Sequence, residues 1–188
     1  MNTLTRRQSL MVAPFIGLAI VGATSSVRAA TAACDDEPTS SNDEGPFFKP
    51  SSPERASLIQ PGISGPKLVL SGKVLSTACA PIAGAVLDFW HCDAEGRYDN
   101  DGFILRGHVL TDKDGAFRLE TITPGQYPGR TRHIHVKAAA HGGRVLTTQL
   151  YFPNEARNAR DGLFRPDLVL AMGDGGAAGS FDFVLKTA

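Results

Sequence analysis

From residue 67 onward the chain is cut into short runs rich in β-branched and aromatic residues, each closed by turn chemistry. Runs 67–76, 85–91, 107–111, 116–122, 132–139, 145–152 and 180–186 read as strands. The loop Asp112-Lys113-Asp114-Gly115 suits a type I turn followed by Gly in the left-handed region, so 107–111 and 116–122 are expected to pair as a hairpin. A second pair, 132–139 with 145–152, is expected around His141-Gly142-Gly143. The last run alternates Phe181, Phe183 and Leu185 with polar residues, as a half-buried strand should. Only 154–161 looks helical, and briefly. Twenty Gly and twelve Pro in 188 residues suit such a turn-rich chain better than a helical bundle. The fold class expected is all-β, an antiparallel β-sandwich.

The ends carry different signals. Arg6-Arg7 and Leu10 precede an apolar run at 11–23 and small residues through Ala33. This is the order of a twin-arginine export signal, expected over 1–33, which moves folded proteins to a periplasmic or extracellular compartment. The apolar run is too short to span a membrane as a helix, so no stable insertion is expected after cleavage at Ala29 or Ala32. Residues 34–66 read as an extended arm, interrupted by Phe47-Phe48, whose rings must be buried against the domain, in a dimer contact or at a pocket rim. Residues 67–188 form the sandwich domain. In an oxidising compartment Cys79 and Cys92, which flank the turn Pro81-Ile82-Ala83-Gly84, are expected to bridge. Cys34 lies far beyond the apolar run, which argues against a lipid anchor on it. A formal net charge of zero argues against an electrostatically driven nucleic-acid binder.

The chemistry concentrates in 124–136. Pro124-Gly125 opens a turn, and the segment closes as a strand in which His133 and His135 project from one face and Ile134 and Val136 from the other. The same pattern suits a half-buried strand whose polar face happens to carry two histidines. Tyr127 lies just upstream, and Tyr98 lies in the loop that follows Trp90-His91-Cys92-Asp93. Tyr98, Tyr127, His133 and His135 make a set of two oxygens and two nitrogens. A phenol with an ordinary pKa of about 10 is a poor ligand until a hard trivalent ion lowers that value. This set therefore favours Fe(III) over zinc or Fe(II). A ferrous site of two His and one carboxylate from Asp93, Asp99 or Asp101 is the competing arrangement. A calcium loop at Asp99-Asn100-Asp101-Gly102 is a weaker reading than a simple turn.

Several motifs in order resemble one family. They are Gly45-Pro46-Phe47-Phe48, Pro81-Ile82-Ala83-Gly84-Ala85 running into Trp90-His91-Cys92-Asp93, Gly96-Arg97-Tyr98, residues 103–107 with Thr111-Asp112, Pro124-Gly125-Gln126-Tyr127-Pro128 leading to His133-Ile134-His135, and Thr148-Gln149-Leu150-Tyr151-Phe152. Across roughly 44–170 the chain resembles the intradiol ring-cleaving dioxygenases. The resemblance implies a β-sandwich of immunoglobulin- or transthyretin-like topology. It also implies Tyr98, Tyr127, His133 and His135 as Fe(III) ligands, Tyr127 leaving the metal and accepting a proton, Arg130 beside the substrate, and Gln149 behind the pocket. The implied reaction opens a catechol-type ring with O₂ to a muconate-type diacid. Family members tend to associate, so a homo-oligomer is an expectation. The stretch from Tyr127 to His133 is shorter than in the well-known cytoplasmic enzymes, with Gly129 where they often carry a bulkier residue, and no long N-terminal helical segment precedes the domain. Two rivals remain: an exported iron- or polyphenol-binding sandwich without ring cleavage, and a structural sandwich without metal. Tyr151 and His108 are expected as core or edge residues, His91 and His141 as structural or exposed.

Overall fold

Strand alternation buries Leu68, Leu70 and Val74 on one side of β1 (Lys67–Ser76). A computed structural model describes Cys34 and residues 37–187. The expected export segment lies outside the described residues, among which no helix is long and apolar enough to cross a membrane. Two sheets face each other. One has the order β3 (Arg106–Leu110), β2 (Val86–Trp90), β5 (His133–Ala139), β6 (Leu146–Tyr151), antiparallel throughout. The other has the order β4 (Ala116–Ile122), β1, β8 (Ala178–Ser180), β7 (Ala171–Gly173), with β9 (Phe183–Leu185) also on β1. Leu70, Leu87, Phe89, Leu119, Ile134, Val136, Leu150 and Phe183 fill the space between them. The architecture is the expected β-sandwich.

Three expectations need correction. Residues 107–111 and 116–122 do not pair with each other: β3 pairs with β2, and β4 pairs with β1 in the opposite sheet. The turn itself is as read, with Asp112 Oδ1 accepting from Asp114 N and Ala116 N and Gly115 at φ +71°. What separates the strands is that each buries its apolar residues in the same core from opposite sides. The final run is also split. β8 and β9 both run parallel to β1, interrupted at Phe181-Asp182 where the Phe181 carbonyl lies so close to Gly72 that a Cβ there would sit 1.8 Å from it. The brief helical segment is a 3₁₀ turn at Asn158–Arg160.

The third correction is the disulfide. Cys79 bonds Cys34, not Cys92, with Cα atoms 5.7 Å apart. Cys92 is a buried thiol beneath the loop after β2, its Sγ near the Gly125 carbonyl, and desolvation pushes it up to about 11. The bridge fastens the start of the arm beside the β1–β2 turn. The arm then crosses the outer face of the β3-β2-β5-β6 sheet. Asn42 N donates to Thr147 O at one edge, and Glu54 bridges His108 at the other. That cover keeps water from an outer face that would otherwise be solvated.

Candidate metal centre and substrate pocket

Under the arm, strand register sets Arg106, Trp90, His135 and Gln149 in one row, with His133 opposite Tyr151 in the next. All six are buried, so a polar row lies sealed beneath residues 42–48. Phe47 stacks on Tyr98 with centroids 4.4 Å apart, and Phe48 packs on Trp90 under the Lys137 ammonium. Of the fates open to these rings, Phe47 takes the pocket rim and Phe48 the domain face.

Two loops bring the tyrosines together. Gly125 N donates to Asp93 O, and the backbones touch. A Cβ on Gly125 would lie 2.4 Å from Ala94 O, and one on Gly96 2.4 Å from Gln126 O. Only glycine permits this approach. It sets the Tyr98 and Tyr127 rings edge to face at 5.6 Å. Buried Arg106 secures the Tyr98 loop by donating to the carbonyls of Asp99 and Phe47.

His133 Nε2 lies 3.2 Å from Tyr98 Oη and 3.2 Å from His135 Nε2. Its Nδ1 is 2.7 Å from the Thr131 carbonyl, which can only accept, so in the neutral ring Nε2 carries a lone pair. Burial holds His133 down to about 4 and His135 well below the ordinary histidine range, so both are neutral. One lone pair thus faces two neighbours that would both have to donate to it. His135 Nδ1 is buried without a partner. A cation shared by the three inward atoms removes the conflict, and neutral imidazoles are the form a metal takes. Desolvation raises the Tyr98 phenol, so its ionisation would need such a cation. Tyr127 Oη has no hydrogen-bond partner among the described residues. The donor set therefore fits a hard ion.

The carboxylate alternative fails. Among the described residues no three His, Cys, Asp or Glu side chains gather where they could share an ion. Asp99 caps the amides of Asp101, Gly102 and Ile104, and Asp93 caps those of Glu95 and Arg97. The Asp99 loop is a turn.

Beside the histidines, Arg130 Nη2 donates to Gln149 Oε1 at 2.7 Å and Nε to Asp161 Oδ2 at 2.8 Å. Gln149 Nε2 donates to the arm at Asp43 O, which fixes its amide orientation. Tyr151 Oη lies 3.0 Å from Gln149 Oε1 and 2.6 Å from Leu163 O, and burial pushes it up to about 12. Tyr151 is thus a core residue that also ties its hydroxyl to Gln149. Asp161 and Asp43 carried no role in the sequence reading, and Phe47 only that of a ring to be buried. Only the aromatic pair at 47–48 gave any signal. His91 is structural, bonded to Cys92 O and Thr121 Oγ1, and His141 is exposed.

The sequence pattern of a dioxygenase family matches residues 44–187. The chain belongs to the intradiol ring-cleaving dioxygenases. Among solved structures, the dioxygenase domain of a dioxygenase–carbohydrate-binding protein fusion from Streptomyces sp. SirexAA-E is 54% identical. It superposes with a TM-score of 0.78 over 81% of this chain and 100% of that one. Chlorocatechol 1,2-dioxygenase from Rhodococcus opacus is 33% identical over 62% of this chain and 57% of its own length. Catechol 1,2-dioxygenase from Candida albicans is 34% identical over 60% of this chain and 46% of its own. This intradiol dioxygenase chain spans about half the length of the curated relatives it matches.

Proposed function

We propose that this chain is an exported non-haem Fe(III) intradiol dioxygenase that opens catechol-type rings with O₂ to muconate-type diacids. The observation that carries the proposal is the convergence of Tyr98 Oη, His133 Nε2 and His135 Nε2 around one lone-pair conflict, with the Tyr127 ring edge-on to Tyr98 and Arg130 alongside. Tyr98, Tyr127, His133 and His135 would hold the ion. Bound there, a ferric ion would supply the affinity for both catechol oxygens and make the ring reactive toward O₂. Tyr127, whose oxygen has no hydrogen-bond partner among the described residues, would be ionised where it helps hold the ion and as a phenolate would accept a proton from the incoming catechol. Arg130, pinned along one edge of its guanidinium, presents the other edge to negative charge developing on the ring. Gln149 holds Arg130 from behind, and Phe47 shields Tyr98 from water. The four-donor set together with a fixed cation favours an enzyme over a binding module.

Export is supported by the Arg6-Arg7 segment and by the Cys34–Cys79 disulfide, a bond at home in an oxidising compartment and incompatible with a lipid on Cys34. Retention in the cytoplasm after Arg6-Arg7 become Lys-Lys is expected; unchanged export would overturn that part. The reaction is tested by oxygen uptake with catechol. One O₂ consumed per catechol, with both oxygen atoms in a diacid product, is expected. Iron-bound catechol with no oxygen consumption would leave the polyphenol-binding reading.

A further inference from the structure

Asp161 lies far from the histidines in sequence, in the turn after the 3₁₀ segment Asn158–Arg160. Its side chain is 3% exposed. Oδ2 accepts from Arg130 Nε at 2.8 Å and from Thr131 N at 2.7 Å, and Oδ1 accepts from Leu163 N at 2.9 Å. These bonds and the adjacent guanidinium hold the Asp161 carboxyl below the usual carboxylate range. The carboxylate therefore does two things at once. It fixes the guanidinium through Nε, and it fixes the Arg130–Thr131 backbone whose next carbonyl receives the His133 Nδ1 proton. Gln149 takes Nη2 on the same edge, while among the described residues none accepts a hydrogen bond from Nη1. Net stability alone is a weak reason for a buried ion pair of this kind.

We infer that Asp161 is the positioning residue that aims the Nη1 edge of Arg130 at the substrate. This rests on the proposed ring-cleaving reading and extends it to a residue that touches neither metal nor substrate. Asp161→Asn puts an amide donor opposite Thr131 N, Arg130 Nε or Leu163 N, so at least one bond is lost and the guanidinium loses its counter-ion.

The experiment is a double-mutant cycle with Arg130→Ala and Asp161→Asn in the iron-loaded full chain, read by kcat, catechol Kd and the visible band. Asp161→Asn is expected to lower kcat about 10- to 100-fold with a few-fold change in Kd and an unchanged resting band. In the Arg130→Ala background it should lower kcat far less than in the parent, leaving only what the Thr131 brace contributes. Losses that multiply would overturn the inference and leave Asp161 a structural residue. If Asp161→Asn does not fold, Gln149→Leu decides. With Asp161 still clamping Nε, its loss should stay well short of that of Arg130→Ala, and an equal loss would overturn the inference. A parent protein that binds no iron or consumes no oxygen would instead sink the ring-cleaving reading.

Discussion

His133 gives its Nδ1 proton to the Thr131 carbonyl, 2.7 Å away, and so keeps its Nε2 lone pair turned toward Tyr98. A main-chain acceptor two residues upstream thus selects the tautomer that a metal would need. The same short segment carries Arg130, so one stretch of backbone, braced by Asp161, orients both a ligand and the cation beside it.

The disulfide closes a separation of 45 residues, from the start of the arm to the β1–β2 turn. Cys34→Ser is expected to lower unfolding free energy by about 4 kcal/mol from loop-closure entropy, measured by urea denaturation. Thiol titration should find no reactive thiol in the native protein and one after unfolding, from Cys92. A native protein in which Cys34 reacts would contradict the pairing.

Gly125→Ala drives a Cβ against the Ala94 carbonyl and Gly96 N. Backbone atoms cannot move aside as a flexible side chain can, so roughly 1–3 kcal/mol of stability should be lost. Because this contact sets Tyr98 against Tyr127, iron content should fall as well. Gly129→Ala meets nothing within 4 Å and carries only its φ of +81°, so its iron content should match the parent.

His91 is fully buried between Cys92 O and Thr121 Oγ1, and desolvation lowers it from 6.5 to about 4. On acidification the unfolded chain takes up this proton first. The contribution is therefore constant above 6.5, is lost between 6.5 and 4, and is level below 4. A loss of about 3 kcal/mol is expected across that window. The stability advantage of the parent over His91→Gln, followed by urea midpoints, should shrink as pH falls from 7 to 4.5. An advantage that does not change with pH would contradict the buried neutral ring.

Strand positions were readable because period-two alternation survives wherever one face is buried. Which strand pairs with which was not. The Asp112–Gly115 turn is local, whereas the choice of sheet depends on which faces bury against each other. The Cys79–Cys92 expectation failed for a related reason, since closeness along the chain says nothing of the arm that returns Cys34 to Cys79. In the pocket, His133 and His135 stood out through their spacing on one strand. Asp161 and Asp43 did not, because an acid in a loop has no pattern until its partner is in place, and Asp43 meets Gln149 through its carbonyl.

The most direct test of the central claim is the visible absorption spectrum of the iron-loaded protein, for the parent and for Tyr98→Phe and Tyr127→Phe, before and after anaerobic catechol. The parent should show a broad tyrosinate-to-iron band that moves to longer wavelength when catechol binds, and each variant should lose intensity or iron. A protein that stays colourless after ferric reconstitution, or variants that keep the parent's band and iron content, would contradict the tyrosine–histidine metal centre.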